Sequence, residues 1–178
     1  FKNIFQFPKS SYAKFNLKKI KLKFRKYWSL KIKNNKYSFY DACKKIKKIT
    51  KTTIRTRVRS DVPNSVLISG GLDSNTIISQ ASKISKINGY SLLSNSPDYD
   101  ERIQIKSSEK LNKFKTNFIP SKNSSSLRLL EKIVDYGFNP LLTPTGLALG
   151  LICNKINKDK NKVLLTGIGG DELFCGYY

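Results

Sequence analysis

The chain has 178 residues, with 34 Lys and Arg against 12 Asp and Glu, and a formal net charge of +22 at pH 7. That length suffices for one modest α/β core. It contains no histidine, so no imidazole can serve as general base or metal ligand, and it has no run of about eighteen apolar residues that could span a membrane.

The charge is uneven. Residues 1–60 hold twenty basic residues and a single acid, Asp41, whereas residues 61–178 hold fourteen basic and eleven acidic residues. Tyr12, Phe15, Phe24, Tyr27 and Trp28 alternate with the lysines, as on some RNA-binding surfaces. Lys, Asn, Ile, Phe and Tyr are abundant throughout, which points to nucleotide bias in the coding DNA, and no nucleic-acid-binding motif accompanies the charge. Nucleic acid is therefore not the expected partner, and a basic RNA-binding or tRNA-modifying protein is kept only as an alternative.

In chain order, Phe39, Ala42, Cys43, Ile46, Ile49, Thr53, Ile54 and Val58 follow helical spacing and predict a helix over Tyr37–Ser60, ended by Arg59-Ser60-Asp61-Val62-Pro63. Val66–Ile68 reads as a buried strand. Ser69-Gly70-Gly71-Leu72-Asp73-Ser74 follows as a glycine turn, and a helix is expected over Asn75–Ile87. Paired glycines let a backbone approach an anion closely. Unpaired N–H groups of the first helical turn face the same spot, with the positive end of the helix dipole behind them. Ser69 and Ser74 add hydroxyl donors and Asp73 can hold a divalent cation. The stretch reads as a phosphate cradle with a metal ligand built in.

Tyr90–Leu93 reads as a strand and Ser94–Asp98 as a loop. A helix is expected over Glu101–Phe114, a short strand over Asn117–Ile119 ended by Pro120, and a polar loop over Lys122–Ser126. Leu127–Tyr136 reads as a helix, Pro140 and Pro144 bracket a turn, and a helix follows over Thr145–Ile156. Val163–Thr166 is the last expected strand, leading into Gly167-Ile168-Gly169-Gly170-Asp171-Glu172-Leu173-Phe174-Cys175-Gly176-Tyr177. Strands alternating with helices argue for an α/β fold with a parallel sheet. Such sheets bind ligands at the carboxyl ends of their strands. Both glycine loops can therefore converge on one nucleotide, with Asp73 and Asp171 sharing Mg²⁺ to relieve the repulsion between carboxylates and phosphates. Cys43, Cys153 and Cys175 follow no metal-binding spacing. Cys43 and Cys153 fall on apolar helix faces and are expected in the core. An odd thiol count without a signal peptide points to the cytoplasm.

Two phosphate loops are excluded. A Walker A loop needs a lysine that residues 69–80 lack. The dinucleotide fingerprint needs a third glycine where Glu172 stands. The strings Arg59–Pro63, Val66–Ser74 and Gly167–Tyr177, with weaker matches at Tyr27–Leu30 and Asp100–Arg102, resemble the synthetase domain of glutamine-hydrolysing asparagine synthetases. NAD, GMP and tRNA lysidine synthetases share the first loop of that family but not the second. The resemblance implies an incomplete, Rossmann-like parallel sheet with flanking helices, of the adenine-nucleotide α-hydrolase (ATP pyrophosphatase) type. It implies a carbon–nitrogen ligase, an amidotransferase, that adenylates a carboxylate with ATP and Mg²⁺ and lets ammonia from glutamine attack the acyl adenylate. Aspartate is the first candidate acceptor. Carried over by motif, Ser69, Gly70, Gly71, Leu72, Asp73 and Ser74 hold the pyrophosphate as the PP-loop. Ile68 and Leu92 lie near adenine or ribose, and Thr166 and Gly167 line the nucleotide.

The resemblance also divides the chain. Residues 1–36 correspond to the tail of a glutaminase-like domain and a linker, and 37–178 to the first part of a truncated synthetase domain. The glutaminase cysteine and a C-terminal catalytic lysine fall outside it, so this fragment alone is expected not to complete the reaction. The chain departs from the family at Ile168, where an acid usually supports adenylate formation, at Asn117, where histidine is common, at Leu93, where glycine is usual, and at Pro8-Lys9, usually Pro-Gly. Ile168 can neither bind metal nor accept a proton. It keeps a β-lactam-synthetase-like relative, or a non-catalytic nucleotide-binding remnant, as alternatives to asparagine synthesis.

Overall fold

The computed structural model describes residues 2–32, 36–94, 96–121, 126–137 and 144–177. The chain divides into two units, Phe1–Ala42 and Cys43–Tyr178.

The first unit is built on a β-hairpin that no expectation above included. Strands β1 (Ser11–Asn16) and β2 (Lys21–Lys26) pair antiparallel with Phe15 opposite Leu22 and Lys14 opposite Lys23. Asn16 closes the turn, its Oδ1 accepting the N–H groups of Lys18 and Lys19 at 3.0 and 3.1 Å. Residues that face each other across a pair share a face, and successive residues alternate. Ala13, Phe15, Leu22 and Phe24 therefore form one face, and Tyr12, Lys14, Lys23 and Arg25 the other. Phe7 stacks edge-on against Phe24, ring centroids 5.4 Å apart. Helix α1 (Phe39–Arg57) begins beyond it, where Ser38 Oγ accepts the Asp41 N–H at 3.1 Å and donates to the Asp41 carboxylate at 2.6 Å, a side-chain cap.

The second unit is the expected α/β layer structure. Strands β3 (Asn64–Leu67), β4 (Asn88–Leu93), β5 (Lys115–Pro120) and β6 (Val163–Leu165) form a parallel sheet in the order β5-β4-β3-β6. β3 lies inside, pairing Val66 with Gly89 on one side and with Leu165 on the other. Side chains alternate across it. Val66 and Ile68 join a cluster with Ile54 and Val58 at the end of α1, Ile78 and Ala81 of α2 (Leu72–Ala81), Ile105 of α3 (Arg102–Asn112) and Phe114. Leu67 and Leu164 turn the other way, toward Tyr90, Ile119 and Ile152 and Ile156 of α5 (Pro144–Lys158). Helix α4 (Ser126–Gly137) packs on α5 so closely that a Cβ at Gly150 would stand 2.3 Å from Ile133 Cδ1.

Several boundaries shift for local reasons. α2 starts three residues early, because Leu72, Asp73 and Ser74 already form its first turn. It stops at Ala81, where Ile84 and Ser85 both bond back to the Ala81 carbonyl and turn the chain into β4. α3 ends at Asn112 because Lys113 adopts φ +55. β5 pairs with β4 over its full length, and Pro120 is tolerated at its end because that strand is an edge among the described residues. The helix α6 (Gly170–Phe174) was not expected. Most of the Lys122–Ser126 loop and the turn between Pro140 and Pro144 lie outside the described residues. Cys43 and Cys153 are exposed, like Cys175, which corrects their expected place in the core: α1 and α5 bury narrower stripes than their apolar patterns suggest. Among the described residues no helix is long and apolar enough to cross a membrane.

One buried polar network ties α5 to the sheet. The Tyr90 hydroxyl donates to Asp159 Oδ2 at 2.8 Å and accepts from Asn161 Nδ2 at 2.9 Å, while Lys155 pairs with Asp159. Burial first, then the Asp159 carboxylate, raises the Tyr90 pKa. Tyr90→Phe would leave the buried Asn161 amide without this acceptor and should cost about 1–3 kcal/mol in urea unfolding. No change in the unfolding midpoint would show that the network contributes nothing net.

Candidate functional site

The strand order places both glycine loops together. From β3 the chain moves outward to β4 and β5, then crosses back to β6 on the opposite side of β3. The crevice at such a reversal, outside the carboxyl ends of the two strands, is where open α/β sheets bind ligands.

The first loop leaves the sheet after Ile68, whose N–H donates to the Tyr90 carbonyl at 2.9 Å. Gly71 caps α2 in an extended conformation and no side chain caps the helix. The N–H groups of Leu72, Asp73 and Ser74 thus open the helix with no acceptor inside it. The two serines are engaged with the loop itself. Ser69 Oγ and Ser74 Oγ lie 2.9 Å apart, Ser74 Oγ accepts the Ser69 N–H at 3.1 Å, and Ser69 Oγ accepts the Gly71 N–H at 3.2 Å. The Asn75 amide reaches back and donates to the carbonyls of Ser69 and Gly71, at 3.0 and 2.7 Å.

The second loop closes against the first. Gly169 adopts φ +101, and the Gly170 N–H donates to the Gly167 carbonyl at 3.1 Å as α6 begins. A Cβ at Gly167 would stand 3.0 Å from Asp73 Cβ and 3.1 Å from the Ser74 nitrogen. At Gly170 it would stand 2.2 Å from Asp73 Oδ2. Only glycines let the loops meet in this way. Asp73 is half-buried, and among the described residues no salt bridge or hydrogen bond engages its carboxylate, in a chain with 34 basic residues. A half-buried, unpaired carboxylate beside open helix N–H groups suits a cation that brings its own anion. The exposed Asp171 follows Gly170, with its carboxylate against Gly176. Glu172 accepts the Tyr177 hydroxyl at 2.8 Å, and that bond lowers the Glu172 pKa. Among the described residues no group of three or more His, Cys, Asp or Glu is placed to hold a metal ion, so the residues present fit a metal only with oxygen ligands supplied from elsewhere.

The other expected residues fall in three places. Ile68 is 2% exposed and its side chain belongs to the core, which leaves only its main chain at the crevice. Leu92 is half-buried against the second core cluster. Thr166 and Gly167 are half-buried at the loop, whereas Leu72 and Ile168 are exposed. An apolar groove of about 830 Å³ runs beside the two loops, lined among others by Ile46, Ile49, Leu72, Ile77, Ile168 and Phe174. Sequence reasoning missed Asn75, which looks like an ordinary helical polar residue. It gives no site role to Glu101, which falls in the matched string Asp100–Arg102, or to Gln104, although the Cβ atoms of both lie 3.3 Å from where a Gly70 Cβ would stand. The Asn75 signal was present as an amide one residue after a loop rich in turning carbonyls.

Over 99% of its length the chain is 29% identical to a protein of Methanocaldococcus jannaschii provisionally named glutamine-hydrolysing asparagine synthetase 2, and it spans about 35% of that relative's length. The solved NH3-dependent NAD synthetase of Campylobacter jejuni, in complex with nitrate, is similar at a TM-score of 0.49 and 14% identity, over 76% of this chain and 60% of that one. The model of the asparagine synthase family matches residues 45–178, the whole of the sheet and both glycine loops, and on that match the chain belongs to the asparagine synthase family.

Proposed function

We propose that the chain carries the ATP-binding part of an enzyme that joins ammonia, released from glutamine by a glutaminase domain, to a carboxylate. The observation that carries the reading is the Asp73 carboxylate of the first loop seated against Gly170 of the second. A carboxylate is a poor electrophile, and transfer of AMP to it creates a good leaving group with release of pyrophosphate. The N–H groups of Gly70, Leu72, Asp73 and Ser74 would hold the pyrophosphate moiety, Thr166 and Gly167 would border the nucleotide, and the main chain at Ile68 with the Leu92 side chain would border the base or ribose. Asp73 and Asp171 would hold Mg²⁺ together with phosphate oxygens, as that ion commonly binds through one or two carboxylates and its substrate. Bound there, the ion would neutralise charge on the triphosphate. The chain's own contribution is positioning and fixed dipoles.

Aspartate is the leading acceptor on family grounds. One observation favours a second reading: Ile168, 77% exposed beside the apolar groove, offers the acceptor no charge or hydrogen bond. An amide-forming relative acting on another carboxylate would suit it better.

ATP–pyrophosphate exchange with the protein at its natural length, run with aspartate and then with a panel of carboxylic acids, tests both readings. Exchange that depends on aspartate supports asparagine synthesis, and exchange with another acid alone moves the assignment to that acid. Nucleotide binding without exchange on any acid would leave a non-catalytic remnant and end the enzymatic reading.

A further inference from the structure

We propose that Asn75 is a positioning residue that keeps the first loop in an anion-accepting form by engaging two of its carbonyl oxygens. The proposal rests on the nucleotide reading above and deepens it.

A loop that wraps an anion must present N–H groups to it, and a carbonyl oxygen turned the same way repels it. Between Ile68 and Leu72 the carbonyls of Ser69 and Gly71 are the ones that side chains engage. Ser74 Oγ lies 3.2 Å from the first and 3.3 Å from the second, but it also lies 2.9 Å from Ser69 Oγ. A hydroxyl has one proton and cannot serve both carbonyls, whichever of the two serines donates in their own pair. The Asn75 amide has two, and it spends them on these two oxygens at 3.0 and 2.7 Å. Its own N–H also donates to the Gly71 carbonyl, at 3.3 Å. Asparagine is a weak helix former that competes with the backbone for hydrogen bonds. At this position that competition is directed back at the loop, where it replaces solvent and locks the turn. The serine hydroxyls expected to reach a phosphate are thereby the inner half of the same lock.

Three variants of the whole chain separate this role from general stability. Asn75→Asp keeps the shape but sets a charged acceptor against two carbonyls. Asn75→Ala deletes both donors. Asn75→Ser retains one hydroxyl able to donate to the carbonyl four residues back. Calorimetric titration with ATP plus Mg²⁺, and with inorganic pyrophosphate, should show binding weakened about tenfold or more in Asn75→Asp and Asn75→Ala, with Asn75→Ser between them and the wild type. Hydrogen exchange should quicken at the amides of Gly70 to Ser74 and stay unchanged at Val66, Ile78 and Tyr90. Unchanged binding and unchanged loop exchange in Asn75→Asp would overturn the proposal, as would equal loosening of loop and core. If the wild type binds neither ligand, the nucleotide reading fails, and loop exchange in Asn75→Asp still decides whether the amide holds the turn.

Discussion

Asp73→Asn is expected to fold normally and to lose about 10²- to 10³-fold in ATP–pyrophosphate exchange, the scale of removing one preorganised charge from a transition state. Among the described residues the carboxylate has no ion-pair partner, so its loss should change the urea midpoint little. The asparagine side chain is nearly isosteric but cannot neutralise a cation. Gly170→Ala is the companion experiment, because it leaves the carboxylate in place chemically and moves it physically. The new methyl would fall 2.2 Å from Asp73 Oδ2 and 2.5 Å from Asp73 Cγ. The short side chain must swing aside, at small cost to the fold and large cost to the site. Equal loss in the two variants would tie activity to where the carboxylate sits. Full activity in Asp73→Asn would remove Asp73 from the mechanism.

Ile78→Ala should have the largest effect on stability. Ile78 is fully buried, in the cluster that joins α1, α2 and α3 to β3. Truncating such a residue removes its transfer free energy and leaves a cavity, together about 2–5 kcal/mol. That is a large share of the roughly 5–15 kcal/mol that stabilises a domain. Leu72→Ala is the control: Leu72 sits six residues earlier on the same helix and is 83% exposed, so its loss should fall within about 0.5 kcal/mol. A similar drop in unfolding midpoint for both would show that the cluster is not the core of this unit.

Much of this molecule could be read before its structure. The apolar run at Val66–Ile68 and the helical spacing after it marked β3 and α2, because burial on a sheet or a helix stripe leaves a local pattern. The strings at Ser69–Ser74 and Gly167–Tyr177 marked the loops, because a tight backbone approach demands glycine there. The hairpin escapes a reading by composition although Lys21–Arg25 alternates strictly, since a lysine-rich stretch speaks first through its charge and not its period. Helix ends at Ala81 and Asn112 are set by turns that the apolar pattern does not announce: Ile84 and Ser85 bond back to the Ala81 carbonyl, and Lys113 takes φ +55. Cys43 and Cys153 were misplaced because an apolar pattern on a helix does not say how wide a stripe its neighbours will cover.

Within residues 39–165, residue order by itself determined the alternation of strand and helix, and it marked the two glycine turns, since these follow from local backbone freedom and side-chain polarity. Only the tertiary structure decided that β6 pairs beside β3, that Asp73 meets Gly170 and not some other part of the chain, and that the two serine hydroxyls face inward. Those outcomes depend on strand pairing between segments about a hundred residues apart. Nothing in either segment encodes them until a shared core draws the two together.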